Sequence, residues 1–123
     1  MNERSLVIVG SLNMFFAVCC GAFGAHGLKK MISEEMLAVW HTAVTYQVMH
    51  ALGMIAVALL MPKFGGAAMG WAGNLMLAGI VIFSGSLYLL ALTGTRILGA
   101  ITPIGGVAFL AAWLLVAWSA TRA

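Results

Sequence analysis

LVIVGSLNMFFAVCCGAFGA, residues Leu6 to Ala25, is an apolar run without a charged side chain. About twenty residues at about 1.5 Å each cross about 30 Å of hydrocarbon, so this run is long enough to span a bilayer. A cleaved secretory signal is the competing reading, because Arg4 precedes the run and Ala22-Phe23-Gly24 loosely resembles a cleavage site. Signal cores hold about 7–15 apolar residues, however, and the leading segment here is only Met-Asn-Glu-Arg. The run is read as a retained crossing.

The rest of the chain has the same character. Of 123 residues, 63% are hydrophobic and 7% charged, a balance that no soluble domain of this size carries. A bilayer offers backbone N–H and C=O groups no partners, so the crossing segments must be helices or a closed barrel. A barrel needs alternating segments of about ten residues, whereas the apolar runs here are long and unbroken. The expected fold is all-α: a bundle of four transmembrane helices forming a single membrane domain over residues 1–123.

Beyond the first run, residues 27–40 form a more polar connector carrying Lys29, Lys30, Glu34 and Glu35. Leu28, Ile32, Met36 and Trp40 recur every fourth residue, an amphipathic stripe that predicts a segment lying along the membrane interface. Ser33 before Glu34 and Glu35 reads as an N-cap with acidic residues at the favourable end of the helix dipole. The second helix should start near Glu34 and cross the membrane over 41–61. Pro62-Lys63-Phe64-Gly65-Gly66 predicts a turn that ends it at the proline. The third crossing is expected over 67–92, closed by Thr93-Gly94-Thr95-Arg96, and the fourth over 97–119. Pro103, followed by Gly105 and Gly106, predicts a helix break there, either a kink or a fresh start.

Six basic and three acidic residues lie at the ends of these runs. They read as headgroup anchors in contact with membrane lipid, not as the clustered basic face that nucleic acid requires. Four crossings place Arg4, Lys63 and Arg122 at one end and Lys29, Lys30 and Arg96 at the other. Three against three gives no orientation from the positive-inside rule. Cys19 and Cys20 are adjacent on a helix, pointing about 100° apart, and read as small apolar residues. Nine methionines suggest Cu(I) ligation at first sight, but they are scattered and read as core filler.

In lipid, helices associate through small residues and interhelical hydrogen bonds. Asn13, Ala17, Gly21 and Ala25 fall four apart on the first helix, and Ala108 with Ala112 do so on the last, so these are the expected packing faces. Polar groups at membrane depth are the functional candidates. Tyr46, Gln47 and His50 share the second helix, and Ser84, Ser86 and Tyr88 the third; the first supplies Asn13, with His26 just beyond its end. Together they predict a polar seam. One reading makes it a path for a proton or small solute with His50 titrating; the other makes it a set of interhelical hydrogen bonds that fix the packing. His41 and His50 lie on opposite faces, and all three acidic residues sit at the surface, so no catalytic constellation, cofactor site or metal site is expected.

Three blocks together carry a family resemblance: GAFGAHGL from Gly21 to Leu28, WHTAVTYQVMH from Trp40 to His50, and FSGSLYLLALTG from Phe83 to Gly94 followed by ITPIGG from Ile101 to Gly106. They resemble the domain-of-unknown-function 423 family of small bacterial inner-membrane proteins, related to the transmembrane protein 256 family. The resemblance implies a multi-pass protein of the bacterial cytoplasmic membrane and carries over no catalytic residue. The functional expectation is a small interaction or assembly protein without catalytic activity, acting with a second copy or a membrane-protein partner. The alternative is an oligomeric channel or transporter component built on the seam around His50, and a third is metal handling by His26, His41, His50 and the cysteines.

Overall fold

The computed structural model describes residues 1–122. Four helical stretches are long and apolar enough to cross a membrane. The first, α1, runs Glu3–Ala25, capped by the Asn2 side chain accepting from Ser5 N–H at 2.8 Å. A single 3₁₀ turn, Leu28–Lys30, leads into α2, Glu34–Phe64. Ser33 caps α2 as its sequence position predicts, accepting from Met36 N–H at 3.2 Å.

Pro62 does not end its helix, and Pro103 does not start one. α2 continues through Pro62 and ends at Gly65, whose N–H bonds to the Met61 carbonyl at 2.8 Å. In the last turn a proline removes one ladder bond, and the left-handed Gly65 (φ 37°) and Gly66 (φ 83°) turn the chain instead. The fourth crossing, α5, is one helix from Leu98 to Thr121, so Pro103 is neither its start nor its end. Pro103 lies within the second turn, where its missing N–H strips only the Gly99 carbonyl of a partner.

The third crossing is not uniform. It consists of α3 (Gly66–Gly79), a π-helical turn (Ile80–Ser84) and α4 (Gly85–Thr93). The wider i→i+5 winding inserts a residue and re-aims the side chains of α4. It presents the Phe83 backbone to α5 at Gly105, where a Cβ would collide with Phe83 N. Only glycine admits that approach. Gly94, left-handed at φ 71°, ends α4 before the short loop to α5.

α1 packs mainly on α2, and α5 mainly on the third crossing, so α2 and the third crossing form the middle of the bundle. The core holds Leu6, Met54, Val57, Ala58, Met69, Ala72, Met76, Ile80, Phe109 and Ala112. Three of the scattered methionines are fully buried there, filling space against glycines such as Gly53, whose Cβ would lie 2.9 Å from Met76 Sδ. The lipid-facing sides of α1 and α5 expose Phe15, Phe16, Leu110 and Leu114.

The packing faces also differ from the expected ones. Ala17 is buried and Gly21 meets Val44, but Ala25 is exposed. The stripe actually buried on α1 is Leu6, Gly10, Ala17 and Gly24, and α2 comes so close that a Cβ on Gly10 would lie 2.9 Å from the Ala51 carbonyl oxygen. Contact follows a three–four spacing, the rhythm of near-parallel helices, and a strict spacing of four drifts off that face. The same rhythm on α5 buries Thr102, Gly105, Phe109, Ala112 and Ser119, with Ala108 half-buried at the edge. The amphipathic stripe of 27–40 turns inward: Leu28 and Trp40 are buried with Ala91, and Ile32 packs against them. The 3₁₀ turn is three residues long, and Ser33 starts α2 soon after it.

Candidate functional site

The middle of α2 carries most of the polar chemistry. Ala43, Gln47, His50, Ala51 and Met54 form its buried face, three and four residues apart. From that face Gln47 reaches in two directions. Its Nε2 donates to Asn13 Oδ1 on α1 at 3.1 Å, and its Oε1 accepts from Tyr88 OH on α4 at 2.7 Å. Asn13 Nδ2 in turn donates to its own helix at the Val9 carbonyl, 2.9 Å away. This Tyr88–Gln47–Asn13–Val9 relay joins three crossings. Above it, Trp40 stacks edge-on against Tyr88, ring centroids 4.6 Å apart, and donates to the Cys20 carbonyl at 2.8 Å.

His50 belongs to a second arrangement. Its Nδ1 lies 2.8 Å from the Tyr46 carbonyl, and since a carbonyl only accepts, Nδ1 carries the proton. Nε2 is then the acceptor for Trp113 Nε1–H of α5, at 3.0 Å. The imidazole stacks on Phe109, centroids 3.5 Å apart and planes 9° from parallel. Around it Tyr46, Met49, Phe83, Pro103, Gly106, Val107, Leu110 and Trp113 line a cleft of about 680 Å³ between α2 and α5. Val107 and Leu110 on its wall are exposed, so the cleft opens toward the surrounding lipid.

The two serines work separately. Ser84, fully buried at the end of the π turn, donates to the Ala43 carbonyl at 2.8 Å and ties the third crossing to α2. Ser86 meets Thr102 Oγ1 at 2.6 Å and ties α4 to α5. The residues of the predicted seam are therefore brought into the bundle, but in four groups, not one line. His26 is left out; it caps the end of α1 and is exposed, because the seam runs through the helix interiors. Asn13, read in the sequence both as a packing residue and as the polar group of the first helix, is a member of the relay. Trp113, Thr102 and Phe109 escaped the sequence reading. Trp113 lies some fifteen residues into α5, and a tryptophan away from the interface belts was the signal for a buried acceptor.

Four apolar crossings, interlocked by interhelical hydrogen bonds at membrane depth and bearing a lateral cleft, define a multi-pass helical membrane protein. The family model described as "Protein of unknown function (DUF423)" matches residues 20–106. The chain belongs to that family. It is 51% identical over 120 residues to the UPF0382 membrane protein YwdK of Bacillus subtilis, covering 97% of this chain and 98% of that protein. A UPF0382 membrane protein of Staphylococcus epidermidis is 51% identical over 113 residues, covering 92% of each chain. One from Staphylococcus aureus is 47% identical over the same length, again covering 92% of each. No solved structure matches.

Proposed function

We propose that this chain is a non-catalytic interaction or assembly protein of the cytoplasmic membrane, and that the α2/α5 cleft receives a transmembrane helix of a partner protein or a second copy. The cleft carries this reading: about 680 Å³ of apolar concavity at membrane depth, wide enough for the large side chains of a crossing helix. Gly106 contributes to it by leaving one wall without a side chain. Against a solute path, both ring nitrogens of His50 are engaged by Tyr46 and Trp113, and Gln47 is spanned by Asn13 and Tyr88. The hydrogen-bonded groups hold helices together and leave the cleft as the surface open to a partner.

The test is the mass of the protein purified in mild detergent, wild type beside Val107→Trp, which places an indole in the cleft without touching the relay. The expected result is a defined complex for the wild type and a bare chain for the variant. Identical masses would contradict the cleft as the docking element. Loss of solute flux in proteoliposomes on His50→Ala, with the fold retained, would instead favour a channel component.

A further inference from the structure

The turn between α2 and α3 builds a second, different site. α3 is 14 residues long, has no side-chain cap and no acidic residue in its first turn. The N–H groups of Gly66, Ala67 and Ala68 are therefore the unsatisfied donors of a helix N-terminus, which carries about half a positive charge. Phe64, Gly65, Gly66, Ala67 and Ala68 line a pocket of about 400 Å³ together with Trp118, Ser119 and Arg122 at the end of α5.

Ser119 supplies an independent observation. It is 4% exposed, forms part of the pocket wall, and its Oγ is, among the described residues, the one buried side-chain N or O atom without a hydrogen-bond partner. Buried hydroxyls are normally satisfied, so an orphan on a pocket wall points to a polar ligand. The charge around it is positive. The Arg122 guanidinium lies 4.6 Å over the Trp118 ring, and Lys63 Nζ lies 5.4 Å over the Phe64 ring. Trp118 also belongs to an adjoining apolar groove of about 700 Å³, with Ala111, Leu114 and Leu115, that follows α5 away from the turn.

We propose that this pocket binds a phosphate group, and that its source is an anionic phospholipid. The phosphate meets the α3 N-terminal N–H groups, Arg122 and the Ser119 hydroxyl, while an acyl chain lies in the groove below Trp118. The lipid is favoured over a free anion because the polar pocket and the apolar groove share a wall residue at the level of the basic anchors. The site is separate from the α2/α5 cleft, and neither reading depends on the other.

Native mass spectrometry of the detergent-purified protein tests it, with phosphatidylglycerol, phosphatidylcholine and inorganic phosphate as probes. The wild type should retain one phosphatidylglycerol under activation that strips phosphatidylcholine, and millimolar inorganic phosphate should not displace it. Arg122→Gln combined with Ser119→Ala should lower retention about tenfold, the equivalent of one charge-assisted hydrogen bond. Ala67→Glu should lower it as well while leaving the lipid-free melting temperature unchanged or higher, since an acidic first turn suits the helix dipole. Equal retention of the two lipids, or retention unchanged in these variants, would overturn the proposal. Displacement by inorganic phosphate would overturn the lipid as its source.

Discussion

The Tyr88–Gln47–Asn13 relay and the His50 cleft start three residues apart on one helix, yet they differ in what they leave open. Gln47 is buried between α1 and α4, with a partner on each side. His50 is equally satisfied in hydrogen bonds, but the aromatic and aliphatic wall around it faces lipid. Gln47 and both ring nitrogens of His50 are thus each partnered, and the apolar surface distinguishes the two regions. In lipid, where burial of apolar area drives little association, it is the shape of the second region that supports the docking role proposed for it.

Substitutions that affect one region and spare the other separate the two. The largest effect is expected at the backbone approach beside the cleft: Gly105→Leu must push α5 off Phe83, disturbing the cleft wall and costing about 1–3 kcal/mol or more of stability. It is read as a lowered midpoint of thermal unfolding in detergent. Gln47→Leu strands Asn13 Oδ1 and Tyr88 OH, and should cost about 1–2 kcal/mol while leaving partner binding intact. A double-mutant cycle with Tyr88→Phe should return a coupling of about 1 kcal/mol; additivity would break the relay as a unit. The smallest effect belongs to the exposed Arg96–Glu35 pair, 3.3 Å apart at the α4/α5 loop. Arg96→Gln should shift stability by no more than about 0.5 kcal/mol, measured on the same unfolding scale.

The number of crossings was legible in the sequence because bilayer thickness fixes the length of an apolar run, and the Ser33 cap because its hydrogen bond is local. The membrane class followed from composition alone. The features that escaped were tertiary in origin. A proline tolerated at position 62 or 103 depends on which ladder bond it removes, and a π turn at 80–84 has no residue signature of its own. That Gln47, His50, Ser84, Ser86 and Tyr88 would find partners was legible, since polar atoms in lipid need them, but their pairing was not. Pairing depends on helix rotation, which set Gln47 toward Tyr88 and His50 toward Trp113. His26 and Ala25 illustrate the same limit: a position near a good stripe is not on it once the true three–four spacing is known.

On the function proposed above, the α2/α5 cleft is the surface through which this protein binds another membrane helix. It is tested most directly by placing a photo-crosslinking amino acid at Leu110, on the cleft wall, and for comparison at Val18, on the exposed side of α1, in intact membranes. One adduct of defined mass is expected from position 110 and none from position 18. The same adducts from both positions, or none from position 110 at any expression level, would contradict it.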